Sequence, residues 1–400
     1  MKNDLVVDRE SCTGCGMCMS ICKRNCISLV KDDSAAVYPH IDAQKCVSCS
    51  ECVKVCPSNS IKPEVFSLPR RVYVGWNTDN DIRKNAASGG IASAFYQCAF
   101  DNGWLATGAR FTDEHILRME LFDKDGFTPA YRNSKYVFCE TAEVYPEIAE
   151  KLREGRGVLF IGLPCHTAAV RALAERENCS EKLITCDIIC HGVAPAEYLL
   201  QHIDAVAGDH KSVDRISFRD PDWETWSYMF TLRKKEKVIY KKRVKSGDTY
   251  QNGYHSALIY RENCYRCRYA RPERIADITI GDFSGLGSRK PYTGERYNVS
   301  CIMVNTDKGE RFFKAASKYL VYEERPADEA LKVEKQLQHP SERTEAHNVF
   351  VREYAADRDF DKAVNKAIGS QLFSGKMYEL FRIHEVKQLL RSVRRLVIKK

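Results

Sequence analysis

Cys12, Cys15, Cys18 and Cys22 follow the spacing C-x2-C-x2-C-x3-C, and Cys46, Cys49, Cys52 and Cys56 repeat it 34 residues on, closed the second time by Pro57. A cubane [4Fe-4S] cluster needs four thiolates converging on one small cage. This spacing brings three from one loop and takes the fourth from the other copy. Cys12, Cys15, Cys18 and Cys56 are therefore expected on one cluster, and Cys46, Cys49, Cys52 and Cys22 on the other. The chemistry implied is one-electron transfer. A zinc ribbon would use paired C-x2-C knuckles, four cysteines rather than eight in duplicated order. The first copy departs from the pattern in that Lys23 follows Cys22. Cys26, close by, reads as a buried apolar filler.

A second set of cysteines sits at the ends of apolar runs. Cys165 follows Val158-Leu159-Phe160-Ile161, and Cys190 follows the run from Leu183 to Ile189. If those runs are parallel neighbouring strands, both thiols emerge at the same carboxyl edge, where open α/β sheets bind ligands. Cys165 also falls at a helix start, where the dipole favours a thiolate. Cys264 and Cys267 add a C-x2-C loop. A third [4Fe-4S] cluster on Cys165, Cys190, Cys264 and Cys267 is the expectation, with a zinc site or an uninvolved pair as the alternative. Cys98, Cys139, Cys179, Cys186 and Cys301 read as packing, with Cys186 in reserve as a ligand.

Clusters pass single electrons, whereas most organic substrates take two. A flavin converts one into the other, so FAD is expected as a cofactor. Ser88-Gly89-Gly90 at a helix start is its candidate phosphate anchor, because free N–H groups and the dipole's positive end attract phosphate. A plain Ser-capped helix is the structural alternative. Asn133, Ser134, Lys135 and Tyr136 offer a cation and donors to flavin or substrate, or form an ordinary surface turn. His166 and His191 each follow a proposed ligand. With Lys135 they are the candidate catalytic residues, the histidines as proton relays, against a purely structural role for either histidine.

The elements that must position these groups are legible. Ser88-Gly89-Gly90 opens a helix to about Asn102, stopped by Gly103. Strands are expected over 104–111 and 118–122, with a turn at Asp125-Gly126. A helix over about 143–154 ends at Gly155. Then come the strand 158–161, a helix from Cys165 to about 175, the strand 183–189 and a helix over about 196–207. Alternation of strand and helix implies parallel βαβ units. Residues 213–244 read as strands with an exposed basic hairpin around 233–243, preceded by Trp223, Trp226, Tyr228 and Phe230. That run fits the solvated face of a sheet or a docking face for an acidic electron donor. The fold expected is mixed α+β and α/β. Residues 1–66 would form a two-cluster ferredoxin domain, 67–335 a domain binding FAD and a [4Fe-4S] cluster, and 336–400 a helical basic extension. The segment 380–400 is amphipathic and basic, suited to packing on the core, on a second copy in a homo-oligomer, or on a membrane surface.

Four hundred residues suffice for two or three domains with a sizeable core. Eighteen cysteines behind a start, Met1-Lys2-Asn3-Asp4, that lacks an apolar leader imply a reducing, cytoplasmic setting. No apolar run is long enough to span a bilayer. The formal charge of +8 invites a nucleic-acid reading. Each cluster with its thiolates carries about −2, so three would cancel most of that excess and leave no nucleic-acid partner expected.

Across about residues 70–300 the chain resembles the coenzyme F420 hydrogenase/dehydrogenase beta subunit family. The motifs that carry the likeness, in order, are Ser88-Gly89-Gly90, Ser134-Lys135-Tyr136, Gly162-Leu163-Pro164-Cys165, Cys190-His191-Gly192, Arg219-Asp220, Cys264-Tyr265-Arg266-Cys267 and the run from Asp277 to Phe283. The resemblance implies FAD, a nearby [4Fe-4S] cluster, and electron exchange with a deazaflavin coenzyme or another organic substrate. It adds Gly162, Pro164, Gly192 and Asp282 to the candidate cofactor-binding residues. Where family members often carry Thr-Pro-Cys-Gln, this chain has Leu163-Pro164-Cys165-His166. The function expected is an iron–sulfur flavoprotein oxidoreductase served by a redox partner, a ferredoxin or a larger oxidoreductase. The alternative is a non-catalytic electron-transfer subunit docked on a larger enzyme.

Overall fold

The computed structural model describes residues 6–244 and 246–381. They divide into two compact units. One comprises residues up to 196 with 260–342, and the other 197–259 with the chain from 343 onward. The basic segment expected over 380–400 lies outside the described residues beyond Phe381.

The first unit begins with a small iron–sulfur-type fold. Strands Ile27–Lys31 and Val37–Ile41 pair antiparallel, with Ile27 opposite Ile41. Short helices Met17–Ser20, Glu51–Val55 and Pro57–Ser60 follow each cysteine loop, the last opened by a proline at its first position. Its apolar centre contains Val6, Cys18, Cys26, Ile27 and Cys56.

Behind it lies a nine-stranded mixed sheet. From one edge the strands are Leu320–Arg325, Arg71–Asn77, Ser300–Val304, Ile278–Asp282, Leu183–Ile188, Val158–Gly162, Leu105–Phe111, Leu117–Phe122 and Cys139–Glu140. The four strands 278–282, 183–188, 158–162 and 105–111 run parallel at the centre. Every residue of 158–162 and 300–304 is buried, the pattern a sheet covered on both faces demands. Leu159, Ile161, Ile184, Cys186, Ile278 and Ile280 share one face and one hydrophobic cluster with helices Ile91–Asp101 and Asp307–Ala316. Phe95 and Phe312 meet edge to face there at 5.5 Å. Side-chain alternation turns Val158, Phe160, Thr185 and Asp187 to the opposite face. Helices Val144–Arg153 and Pro164–Arg176, which pack on each other, contact these strands.

The mixed α/β class read from the sequence holds, including the parallel pairing of 158–162 with 183–188. The antiparallel strands at 71–77, 300–304 and 320–325 and the helix 307–316 are additions that the strand–helix alternation did not signal.

The second unit is a three-stranded antiparallel sheet, Arg215–Ser217, Met229–Lys234 and Lys237–Arg243, with helices Ala196–Ala207, Thr249–His255, Glu345–Asp357 and Phe360–Leu380. The expected basic hairpin is present. Lys235 and Glu236 both take positive φ in its two-residue turn, matching the strand twist. Two of its cations lie over Trp223, Lys241 at 5.1 Å and Arg233 at 6.0 Å from the ring centre, and Arg219 lies 4.2 Å from Tyr228. Asp220 is fully buried against Arg233 at 3.1 Å, so the Arg219-Asp220 motif braces this sheet.

Candidate redox site

The turn after strand 158–162 enters helix 164–176 through Pro164, which places Cys165 in the first helical turn. The chain leaving the neighbouring parallel strand 183–188 carries Cys190. Both thiols therefore lie at one carboxyl edge of the sheet. Cys264 sits on the one-turn helix Glu262–Arg266 and Cys267 follows it. All four line one cavity, with Thr13, Phe138, His166, His191, Tyr269 and Arg274 among its other walls.

Electrostatics agree with that convergence. Burial raises the Cys165 thiol well above its ordinary value, and Cys190, Cys267, Cys15 and Cys264 add to the shift in that order. Cys190 is raised by burial, then by Cys264 and Cys267. Cys264 is pushed to about 12 by burial and Cys267. Four crowded, desolvated thiols repel one another as thiolates. A cationic iron–sulfide core removes that cost, so the donor set fits a cluster.

The eight N-terminal cysteines form two further groups. Burial and the charges of Cys56 and Cys12 push Cys15 to about 12, and Cys15, Cys12 and Cys56 all raise Cys18 beyond the effect of its burial. These four thiols share one cavity. In the other group Cys52 is raised by burial and then by Cys49 and Cys22. Cys12, Cys15, Cys18 and Cys56 are buried, whereas Cys49 is exposed and Cys22, Cys46 and Cys52 are half-buried. The Cys26 thiol lies 3.3 Å from that of Cys22 while packing in the apolar centre. Cys186 lies mid-strand in the hydrophobic cluster. No disulfide joins any of the eighteen cysteines.

The buried group faces the four-thiol cavity. Tyr269 borders both, since its hydroxyl, raised by burial, feels Cys165 and Cys15. The Thr141 hydroxyl donates to the Cys15 carbonyl at 2.7 Å. Gly16 lies so close to Ala142 that a Cβ would come within 2.7 Å of the alanine methyl.

The other candidate residues are placed as follows. The Ser88 hydroxyl donates to the Val299 carbonyl at 2.7 Å, and the Gly89 N–H donates to Ser300 Oγ at 2.9 Å. A Cβ on Gly89 would strike the Gly75 carbonyl at 2.5 Å, so this glycine permits backbone contact with strand 71–77. Gly90, at φ 77°, precedes helix 91–101, which has no side-chain cap. The Lys135 ammonium donates to the carbonyls of Ala130 at 2.8 Å and Arg132 at 2.6 Å, and burial brings it down to about 7. Buried Asn133 Oδ1 and Arg132 Nε have no hydrogen-bond partner. Ser134 and Tyr136 lie half-buried on the same loop, and Tyr136 lies near Tyr260, which in turn feels Cys190 and Cys264. His166 is 2 % exposed, its Nδ1 lacks a partner, and burial with the Arg261 charge holds it down at about 4, a neutral ring. His191 is exposed, and its carbonyl accepts from Ser341 at 2.9 Å. Gly192 packs its backbone on Tyr260, where a Cβ would come within 2.3 Å of the ring. Gly162 ends its strand, and Asp282 ends strand 278–282.

Sequence reasoning missed Arg261, Tyr269 and Arg274, which wall the thiol groups. Arg261 precedes Cys264 by three residues, the one positional hint available.

Two thiol quartets of ferredoxin type, one buried and one partly exposed, and a third quartet at a sheet edge define an iron–sulfur electron-transfer protein. Residues 11–60 match the 4Fe-4S dicluster domain. Residues 155–330 match the family described as the C terminus of the coenzyme F420 hydrogenase/dehydrogenase beta subunit. A region matching that family's C-terminal model thus follows a dicluster match, in line with the motifs. A chain of the F420-reducing [NiFe] hydrogenase complex from Methanosarcina barkeri is similar at 17% identity, over 78% of this chain and 94% of that one, with a TM-score of 0.44. No helix among the described residues is long and apolar enough to cross a membrane.

Proposed function

We propose that this chain is an iron–sulfur flavoprotein oxidoreductase that passes electrons between its ferredoxin-type clusters and an organic substrate or deazaflavin coenzyme through FAD. The observation that carries the reading is the convergence of Cys165, Cys190, Cys264 and Cys267 in one cavity bordered by the inner cysteine loop. Exposure orders the path. Cys22, Cys46, Cys49 and Cys52 would hold the outer cluster, which meets the redox partner. Cys12, Cys15, Cys18 and Cys56 would hold the inner one, and the sheet-edge thiols the third.

FAD, when bound, supplies exchange between one-electron and two-electron chemistry. The unpartnered buried Arg132 Nε and Asn133 Oδ1 fit a polar ligand beside the 133–136 loop. Lys135 adds an ammonium whose charge an anion would favour. Ser88 and Gly89 hold the start of helix 91–101 against strand 300–304, leaving its uncapped N-terminus to attract phosphate. Pro164 and Gly192 line the cavity, and Gly162 and Asp282 end the neighbouring strands. His191, exposed beside Cys190, and neutral His166, buried, both line the cavity as candidate proton relays. Twelve cysteines assigned as cluster ligands suit a reducing, cytoplasmic setting.

Anaerobic reconstitution tests this. Three cubanes give about twelve irons per chain, with one flavin. A yield of about eight irons, unchanged by Cys264→Ser, removes the third cluster. Screening F420, NAD(P)H and reduced ferredoxin for flavin bleaching identifies the donor. Turnover of a small molecule by the isolated chain separates an enzyme from a subunit that only relays electrons.

A further inference from the structure

Among the described residues Arg261 is the largest fully buried side chain, at 2 % exposure. A buried guanidinium ordinarily faces a carboxylate, because charge taken out of water is costly. Arg274, in the wall of the four-thiol cavity, obeys that rule: its Nη2 donates to buried Asp187 at 3.0 Å. Arg261 does not. Its Nη2 donates to the carbonyls of Cys12 at 3.4 Å and Val37 at 2.9 Å, and its Nε to Asn263 Oδ1 at 3.4 Å. All three acceptors are neutral, and Nη1 has no partner. The guanidinium lies between the rings of Tyr38 and Phe138, 5.0 and 5.1 Å from their centres. Aromatic faces offset only part of the desolvation.

Its placement spans two thiol groups. The side chain reaches the carbonyl of Cys12, in the inner ferredoxin quartet. Its backbone carbonyl accepts from the Cys264 N–H at 2.9 Å, and its own N–H donates to Val193. Gly14, at φ +70°, makes room, since a Cβ there would come within 2.9 Å of Nη2. A full positive charge is thus buried where two groups of four thiolates approach each other.

We infer that Arg261 is the counter-ion shared by the inner ferredoxin cluster and the sheet-edge cluster, and that it sets the reduction potential of both. The inference rests on the cluster reading above. Each cubane with its thiolates carries about −2 when oxidised and gains a further negative charge on reduction. A fixed cation in a low-dielectric wall stabilises the reduced state of both neighbours. It therefore keeps the inner and sheet-edge clusters reducible and favours electron passage between them. Arg261 is a positioning residue, and it takes no part in bond making.

The test is a redox titration of the reconstituted holoprotein, followed by electron paramagnetic resonance, for the unsubstituted chain, Arg261→Gln and Arg261→Lys. Arg261→Gln should make the inner and sheet-edge clusters at least about tenfold harder to reduce, about 59 mV for a one-electron couple. The outer cluster should be unaffected, and Arg261→Lys should keep most of the native potential. Unchanged potentials in Arg261→Gln, or equal shifts in both variants, overturn the inference. If Arg261→Gln fails to retain iron, retention by Arg261→Lys supports the shared charge, and equal loss in both overturns it. The iron count of the unsubstituted protein separates the two readings. A missing third signal there counts against the proposed function, while the inner cluster's response still decides the role of Arg261.

Discussion

The Thr141 hydroxyl donates to the carbonyl oxygen of Cys15 at 2.7 Å, and one residue on, Gly16 abuts Ala142. These contacts clamp the inner cysteine loop to the domain that holds Cys165. Gly16 has φ +74°, and an added Cβ would come within 2.7 Å of the Ala142 Cβ. Gly103 shares the backbone conformation, φ +67°, but a Cβ there would meet nothing within 4 Å. Gly103→Ala should therefore cost only the left-handed strain, about 1–2 kcal/mol. Gly16→Ala should cost more, and should also lower the iron retained after reconstitution. Thermal unfolding and iron content measured for both variants check this. Equal losses would show that the approach to Ala142 is unimportant.

Lys135 should make stability depend on pH, which a solvated surface lysine would not. Burial lowers its folded pKa to about 7, whereas an unfolded lysine titrates at about 10.4. Between those values the unfolded chain binds the extra proton, so stability from this group rises with pH from about 7 to about 10. Lys135→Met should flatten that slope in denaturant titrations. A slope unchanged by the substitution would mean that the ammonium is solvated.

The cysteine spacing and the apolar runs made the two ferredoxin quartets and the parallel centre of the sheet legible. Strands 158–162 and 183–188 are continuous buried stretches, so the carboxyl-edge position of Cys165 and Cys190 followed from their order alone. Strand 71–77 and its partners gave no such signal. Their pairing joins segments more than 200 residues apart, as in Cys301 opposite Val74, and nothing local specifies it. Nor could the pattern reveal Ser88 and Gly89 spending their donors on Val299 and Ser300, or the buried walls of the redox site. Arg261 and Arg274 look alike in sequence, and only packing gives one a carboxylate and the other none.

The Asp187–Arg274 pair should act as a single unit. Both side chains are buried, and Thr279 also bonds both. Arg274→Met leaves the Asp187 carboxylate uncompensated in the sheet centre, where burial already raises its pKa. The expected cost is about 3–5 kcal/mol. Adding Asp187→Asn should recover part of that loss. A double variant as unstable as the sum of the two single variants would show that the residues do not interact.

His202 should give the second unit a two-sided pH window. Its Nε2 lies 3.0 Å from Asp248 Oδ2 and its Nδ1 3.0 Å from Asp361 Oδ1, while Tyr240 donates to Asp248 at 2.8 Å. Asp248 also caps helix 249–255 through the Gln251 N–H, so one imidazolium ties that helix to helix 360–380. Burial opposes its charge, but the two aspartates outweigh burial and raise the pKa to about 10. Because the folded value exceeds the unfolded one of about 6.5, the stabilisation is complete below about 6.5 and disappears as pH climbs to about 10. Asp248 has the opposite sign. Burial raises its pKa, but His202 and its hydrogen bonds outweigh that and leave it lowered, so its contribution is lost in acid. His202→Gln keeps polarity but removes the charge, and should cost about 3–5 kcal/mol near neutral pH. It should also remove the decline in stability between about 6.5 and 10. Urea unfolding of both proteins across that range, followed by circular dichroism, decides it: parallel curves would mean that His202 is neutral in the folded chain.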